Sequence, residues 1–246
     1  MVLASPIQQR ERYISWAIPF AVASKCLESV ENQNTGLVLY DFPQWIKRID
    51  SQISRKTSVH GLAAVIKDKM SETFAFLPQV IASGAFDKDD ACNGPLLIEY
   101  VVAGFEGAVP VLLSVYLEAD WEKKTVGTPQ LLSLCESAPT RCIGVGGATE
   151  AVKAYRDIKS DAFMHLRDDY LPKELSAYAS NIPLTLNQAT TIVGCFLEME
   201  VNAEPKAVGF PLTIITIPKG GMAGMTATVL KGSRSLCSGR DDKAEQ

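Results

Sequence analysis

Cysteine and histidine are the residues in this chain that could ligate a metal, and their spacing does not suit that role. The six cysteines contain no C-x-x-C pair, and they are Cys26, Cys92, Cys135, Cys142, Cys195 and Cys237. His60 and His165 have no histidine, cysteine or carboxylate at a ligand spacing. Structural zinc sites need such ligands in close pairs. The sequence therefore predicts ordinary reduced cysteines and no metal site.

Two other segments could hold a small molecule. Asp87, Asp89 and Asp90 form an acidic run in the loop Asp87–Asn93. Such a run could serve a small-molecule enzyme, although acidic runs in loops are usually solvated surface. The run Ile143–Ala148 has glycines, but it lacks the lysine and the full pattern of a phosphate-binding loop. We interpret these glycines as a strand-to-helix turn in which backbones approach closely, and we predict no cofactor.

The composition restricts the classes of partner. The chain has 246 residues, of which 47% are hydrophobic and 21% charged, so it can bury a large core without disulfides or metals. Its net charge of −4 argues against a nucleic-acid partner, which normally needs a basic patch. The most apolar early stretch, Ile14–Leu27, is interrupted by Pro19 and Lys25 and follows no basic segment. We therefore predict a cytoplasmic protein that does not enter a membrane.

The strands that would position any site are predicted from β-branched and aromatic runs. Met1–Ser5 can be the end of a strand, and the other predicted strands are Ile18–Leu27, Gly36–Tyr40, Pro95–Phe105, Val109–Leu117, Thr125–Leu134, Arg141–Val145 and Leu212–Ile217. The residues Glu106-Gly107-Ala108 between two of these runs suit a hairpin. The middle of the chain is therefore expected to pair in antiparallel fashion.

Helices are predicted where the apolar residues recur every three or four positions. The segment Pro43–Leu77 is expected to form one long helix or two collinear ones. A second helix begins at Ala148, and a third follows Thr185, with Gln188 completing a capping box. We predict a single domain over residues 1–231, followed by a disordered tail of glycine, serine and charged residues over residues 232–246.

The order of elements is strands, helices, strands, helices and a final strand. Runs of like elements favour an α+β fold over a doubly wound parallel sheet. Because the helices are grouped between blocks of strands, the pattern indicates two antiparallel sheets with helices on their outer faces.

Several segments, taken together, resemble the proteasome-type N-terminal-nucleophile (Ntn) hydrolases over roughly Lys25 to Ile217. The first is Val102-Ala103-Gly104-Phe105-Glu106-Gly107 followed by Val109-Pro110-Val111-Leu112, which is similar to the central hairpin of that family. Ile143-Gly144-Val145-Gly146-Gly147-Ala148 is similar to its Gly-rich strand-to-helix turn, and Leu184–Ala189 and Ala207–Ile214 to its late helices and last strand. The resemblance implies a four-layer αββα sandwich of two antiparallel sheets.

The resemblance also implies a chemistry. In this family the first residue of the mature chain is a threonine, serine or cysteine that attacks a peptide carbonyl, and its α-amino group is the base. A lysine lowers the proton affinity of the site, and a carboxylate positions that lysine. Lys25 lies at about the right distance before the first long helix to match the family's catalytic lysine. The alternative is a surface or strand-edge lysine.

Other positions depart from the family pattern. Val2-Leu3-Ala4-Ser5 resembles the strand that lies about ten residues after the nucleophile, so we expect the strand carrying the nucleophile to be absent from this chain. The carboxylate that should follow falls on Pro6, and a supporting serine falls on Val145. Near the late helices, Glu204 is one place out of register with the family's aspartate.

Cleavage inside the chain does not restore a nucleophile. After Thr35 the helix beginning near Pro43 follows too soon, which leaves no room for the strand that carries the lysine. Ser5 and Cys26 fit no better. The departures at Pro6 and Val145 favour a non-catalytic relative over a chain that has simply lost its N-terminus.

Three functions therefore stay open at the sequence level. The first is a proteasome-like protein that lacks its own nucleophile and acts as a structural, assembly subunit. The second is an active threonine-type peptidase or amidase, with peptide or protein substrates, whose true N-terminus is missing. The third is a small-molecule enzyme built on the acidic loop. We expect a homo-oligomer, because the apolar helix faces Trp45–Phe74 and Ile192–Met199 exceed what one core can cover, and a missing strand leaves a sheet edge open.

Overall fold

The computed structural model describes residues 2–6, 21–25, 29–32, 37–53, 57–86, 88, 94–134, 157–180, 182–203, 212–217 and 226–230. Within these residues the strands, in chain order, are β1 Val2–Pro6, β2 Ala21–Lys25, β3 Ser29–Asn32, β4 Leu37–Asp41, β5 Leu96–Glu106, β6 Val109–Asp120, β7 Thr125–Val126, β8 Gln130–Ser133, β9 Leu212–Thr216 and β10 Thr226–Leu230. The helices are α1 Phe42–Asp50, α2 Val59–Thr73, α3 Leu77–Ala82, α4 Asp161–Asp169, α5 Pro172–Ala179 and α6 Leu186–Ala203.

The chain divides into two compact units. Unit 1 comprises Met1, Gln9–Ala148 and Ile217–Gly224, and unit 2 comprises Val2–Gln8, Thr149–Thr216 and Met225–Gln246. Each unit combines helices with antiparallel strands, as the α+β prediction requires. The predicted strand and turn over Arg141–Ala148 and the tail over residues 232–246 lie outside the described residues. The single domain over residues 1–231 stays a prediction.

Unit 1 is built on an antiparallel sheet with the strand order β2, β5, β6, β7, in which β8 also pairs with β6. Its centre is the β5–β6 hairpin, which confirms the hairpin predicted here. Glu106 pairs with Val109, so Gly107 and Ala108 form the turn. Gly107 has a φ of 63°, a positive value of the kind that tight hairpin turns need at their first turn residue, where glycine is favoured. β3 and β4 form a separate two-stranded ribbon.

The segment Pro43–Leu77 forms separate helices rather than one. The Asp41 side chain accepts a hydrogen bond from the Gln44 N–H at 2.9 Å and caps α1. The Ser58 hydroxyl accepts from the Gly61 N–H at 2.9 Å and caps α2. Because a capping side chain satisfies the free N–H groups of a first turn, the second cap starts a new helix.

One face of the unit 1 sheet supplies the core. Residues alternate between the two faces of a strand, and every second residue of β5 and β6 is buried beside α1 and α2. The fully or nearly fully buried members are Ile46, Ile49, Leu62, Ile66, Met70, Ile98, Tyr100, Val102, Leu113, Val115 and Leu117. Trp45, 6% exposed, lies in the same cluster, with its indole stacked on the Tyr100 ring at a centroid distance of 4.6 Å.

A buried pair of tyrosines joins the β3–β4 ribbon to this core. The hydroxyls of Tyr40 and Tyr100 are 2.5 Å apart and share a hydrogen bond. Burial, followed by the neighbouring Tyr40, raises the pKa of Tyr100 well above its ordinary value of 10.0. Tyr100 therefore keeps its proton at physiological pH, and the two hydroxyls act as a hydrogen-bonded part of the core.

The apolar helix faces Trp45–Phe74 and Ile192–Met199, which the sequence analysis used to predict a homo-oligomer, are buried within the chain at their large residues. Trp45, Met70 and Phe74 are at most 6% exposed, and Ile192 and Phe196 are at most 3% exposed. The alternate residues of the sheet cover the first stripe, and contact of α6 with β1 and β9 accompanies burial of the second. The expectation that these two stripes exceed what the chain itself can cover is therefore not met at these residues.

Unit 2 contains a three-stranded antiparallel sheet in the order β1, β9, β10. α6 packs on β1 and β9, and α5 contacts both α4 and α6. The predicted capping box is confirmed: the Gln188 N–H donates to the Thr185 Oγ1 at 3.3 Å, and the Thr185 N–H donates to the Gln188 Oε1 at 2.9 Å. The strand β10 and the helices α4 and α5 were not predicted.

The tip of the β5–β6 hairpin contributes to the start of α2. The Glu106 carboxylate accepts the His60 N–H at 3.0 Å and contacts the His60 Nδ1 at 2.9 Å. The His60 backbone N–H is the main cause of a lowered Glu106 pKa, followed by the His60 side chain. A carboxylate at a helix N-terminus is also favoured by the helix dipole.

The Glu106 contact predicts an acid-dependent loss of stability. Because the pKa of Glu106 is lowered by folding, its contribution is complete above the ordinary carboxyl pKa of 4.5 and is lost as pH falls through the lower folded value. Glu106→Gln should therefore lower the free energy of unfolding by about 1 kcal/mol or less at pH 7, with the difference shrinking below pH 4.5. Urea denaturation at several pH values measures this.

A control is available in α2. Glu72 forms an exposed ion pair with Lys69, so Glu72→Gln should change stability by no more than about 0.5 kcal/mol at pH 7. A Glu106→Gln difference that persists unchanged at pH 3 would contradict the assignment.

Candidate functional site

Lys25, the candidate catalytic lysine, is the last residue of β2 in unit 1. The antiparallel register places it directly opposite Glu99 of β5. On the other side of β5, Glu99 is opposite Tyr116 of β6, which in turn is opposite Gln130 of β8. Lys25, Glu99, Tyr116 and Gln130 therefore form one row across four strands. Directly opposite residues belong to the same face of an antiparallel sheet.

This row lies on the sheet face opposite to the one that packs against α2. The helix-facing residues of β5 include Ile98 and Tyr100, so Glu99 between them belongs to the other face. Glu99 is only 5% exposed, and a buried glutamate is unusual. Ser114, on the same face of β6, is 1% exposed.

The two buried polar residues contact each other. The Ser114 hydroxyl donates a hydrogen bond to the Glu99 Oε1 at 2.5 Å. The Glu99 Oε2 is buried and has no hydrogen-bond partner among the described residues. A buried carboxylate is costly unless it is paired or protonated, so this oxygen calls for a donor or a cation. Chemically, the site can hold a cationic group, and the Ser114 hydroxyl beside Glu99 is closed to solvent, with Ser114 1% exposed.

Other candidate residues are not brought to this site. Pro6 is the last residue of β1 in unit 2, opposite Leu212 of β9, and Ser5 is opposite Thr213. The remaining candidates lie outside the described residues, and they are Cys26, Thr35, Asp87, Asp89, Asp90, Val145 and Glu204.

Glu99 and Ser114 were missed by reasoning from the sequence. Glu99 stands between Ile98 and Tyr100, as the one charged residue within the apolar run Leu96–Phe105. A lone carboxylate in a strand that is otherwise apolar is a usable signal, because such strands are commonly buried. Ser114 gives no comparable signal, since its contact with Glu99 depends on the diagonal pairing of two strands.

His165 and Cys195 make different kinds of contact: the first a surface ion pair and the second a disulfide. His165 contacts Asp169 one turn later on α4, with both side chains more than half exposed, which is an ordinary surface pair. Within the described part of the chain, no group of three or more metal-ligating side chains comes together. Cys195 on α6 is disulfide-bonded, so the prediction that all the cysteines are reduced is wrong at this position.

The structure contains, over its described ranges, no helix with the length and hydropathy that crossing a bilayer requires.

Comparisons with known proteins give little further identification. No family model matches the sequence. No curated protein matches it either. Among solved structures, the chain is similar to the Anbu Gly-1 mutant from Hyphomicrobium sp. strain MC1, with a TM-score of 0.46 and 11% sequence identity. The match covers 93% of this chain and 78% of that one. Values this low do not establish a family.

Proposed function

We propose that this chain is a proteasome-type Ntn-fold protein, a four-layer αββα sandwich, that assembles with copies of itself as a structural subunit rather than hydrolysing peptides. The family assignment is supported by the sequence segments that resemble the proteasome-type hydrolases, above all the central hairpin, which forms as β5 and β6. A cytoplasmic location stays a prediction, and the disulfide at Cys195 weighs against it, because thiols are usually kept reduced in the cytosol.

The main support for a non-catalytic role is the position of Pro6 at the end of β1. The resemblance aligned Val2–Ser5 with a strand that a carboxylate should follow, and the structure does form a strand there. Pro6 ends that strand, paired in register with Leu212. Proline has no ionisable group and no N–H, so it can neither position a lysine by charge nor replace the carboxylate by hydrogen bonding.

An exposed strand of unit 1, β8, supports assembly. All four residues of β8 are exposed, and two of them are leucines, Leu131 at 39% and Leu132 at 51%. Because successive residues of a strand belong to opposite faces, β8 has an exposed leucine on each face. A two-fold axis would place β8 of two copies in contact. We assign β8 to contact with a second copy of the chain.

The assembly proposal predicts a sensitive position. The purified chain should give a single oligomeric species in light scattering after size exclusion, and Leu132→Lys should weaken self-association at least about tenfold, because a charge replaces a buried contact. The matched control is Leu186→Lys on unit 2, where the leucine is equally exposed at 51% but lies outside β8. A wild-type chain that is monomeric at micromolar concentration would rule out the assembly.

A second candidate, amide hydrolysis by the family chemistry, is favoured by one observation. Lys25 is in register with Glu99, and a lysine beside a buried carboxylate is what such a site requires. An assay of the same preparation with fluorogenic peptides decides between the structural role and hydrolysis. We expect no turnover of the peptides. Turnover that is lost in Lys25→Ala and kept in Lys47→Ala, an exposed lysine of α1, would support hydrolysis instead.

A further inference from the structure

The strand β8 lies at one edge of the unit 1 sheet. Among the described strands it pairs only with β6, and β5 occupies the other side of β6. The outer side of β8 therefore has no neighbouring strand in the described part of the chain. All four residues of β8 are exposed, so this edge of the sheet is open to solvent.

The hydrogen bonds to β6 show which backbone groups of β8 face outward. The Leu134 N–H, just after β8, donates to the Leu112 carbonyl at 3.0 Å. In an antiparallel pair, directly opposite residues alternate between those that exchange both backbone hydrogen bonds and those that exchange none. Two positions earlier, Leu132 is therefore bonded to Ser114, and Leu131 is not bonded to β6. The N–H and C=O of Leu131 consequently point away from β6, toward the open edge.

β8 lacks the side chains with which proteins commonly block an open edge. Exposed edge strands often carry a charged residue or a proline, which prevents pairing with another chain. The sequence of β8 is Gln130-Leu131-Leu132-Ser133, with neither a charge nor a proline. Pro129 is buried and comes just before the strand, so it leaves the Leu131 N–H in place. The edge is therefore suited to pairing with a further strand.

An identical strand fits this edge. In an antiparallel pair about a two-fold axis at Leu131, the N–H of each Leu131 meets the C=O of the other. The Leu131 side chains, each 39% exposed, are then opposite each other on one face, and exposed Leu132 is opposite Gln130 of the second copy on the other face. Because β8 is uncharged, two copies of it do not repel, although the whole chain carries a net charge of −4.

We propose that β8 pairs edge to edge with β8 of a second copy, in antiparallel orientation and with Leu131 on the two-fold axis. The unit 1 sheets of two chains then form one continuous sheet across the axis. This inference rests on the proposed assembly and specifies its chemistry. Reciprocal backbone hydrogen bonds at Leu131, rather than side-chain packing alone, join the two copies.

Two substitutions at Leu131 separate its backbone from its side chain. Leu131→Pro removes the outward N–H and keeps the bonds between Leu132 and β6, because proline is tolerated in an edge strand where the N–H faces solvent. It should weaken self-association at least about tenfold in light scattering after size exclusion. Leu131→Val is the matched control: it keeps the N–H and suits a strand, so its self-association should stay within about threefold of the wild type.

The outcomes distinguish the edge pairing from the assembly itself. A wild-type chain that is monomeric at micromolar concentration would remove both. A wild-type oligomer that Leu131→Pro leaves intact would keep the assembly and overturn the edge pairing. An equal loss in Leu131→Pro and Leu131→Val would also overturn the pairing, because the contact would then depend on the side chain.

Amide hydrogen exchange in the wild-type chain covers the case in which Leu131→Pro fails to fold. The Leu131 amide should be protected in the oligomer and should exchange at least about tenfold faster after dilution to the monomer. The Leu132 amide donates to β6 in both states, so its exchange should change much less on dilution. A Leu131 amide that exchanges at the same rate in the oligomer and in the monomer would overturn the proposal.

Discussion

Replacing Trp45 by alanine is expected to lower the free energy of unfolding by about 3–5 kcal/mol, the range for removing a large aromatic side chain from a core. Trp45 is 6% exposed, stacks on Tyr100 and lies at the edge of Tyr40. Its Nε1–H donates to the Thr73 Oγ1 at 2.7 Å. Alanine therefore removes the aromatic contacts and the hydrogen bond between α1 and α2 together. Urea denaturation followed by circular dichroism measures the loss.

Two variants separate these contributions. Trp45→Phe keeps an aromatic ring and loses the N–H, so it should cost less than the alanine variant, with about 1 kcal/mol from the hydrogen bond. Gln44→Ala changes the exposed neighbouring residue of α1 and should stay within about 0.5 kcal/mol of the wild type. A Trp45→Ala loss below about 1 kcal/mol would show that this stack does not support the core.

The second large effect is expected in unit 2, at Phe163 of α4. Phe163 is 0% exposed, and its ring lies 6.2 Å from that of Tyr178 on α5. Its backbone N–H is bonded to the Ser160 cap, and that bond survives substitution. Phe163→Ala should therefore cost about 3–5 kcal/mol through the cavity alone.

The neighbouring residue of α4 provides the control. Met164 is 38% exposed, and Met164→Ala should change the unfolding free energy by no more than about 0.5 kcal/mol. The same denaturation experiment compares the two variants. Equal losses at both positions would contradict the burial of Phe163 against α5.

Several elements of both units could be predicted from local pattern, because their signals lie within short windows. The β5–β6 hairpin follows from two β-branched runs around a glycine, and the capping box at Thr185 from two residues three apart. The break between α1 and α2 was harder, since the apolar spacing continues across it. The deciding group there is the Ser58 side chain, which caps α2.

The candidate site could be predicted only in part. Lys25 was found through its distance from the first long helix, which is a property of the sequence. Glu99 and Ser114 are fifteen positions apart and meet through the pairing of β5 with β6, and Lys25 reaches the same row through the pairing with β2. Contacts of this kind depend on strand register, and a shift of one residue would move each side chain to the other face.

The pairing of β1 with β9 has a consequence for biosynthesis. Val2 is opposite Thr216, more than two hundred positions later in the chain. A ribosome therefore releases β1 long before its partner exists, while the β5–β6 hairpin can close as soon as its second strand emerges. β1 must then wait, unpaired by β9, while the residues between the two strands are synthesised. A strand that is made early is thus among the last to reach its place, and this interval is when a chaperone would be of most use to it.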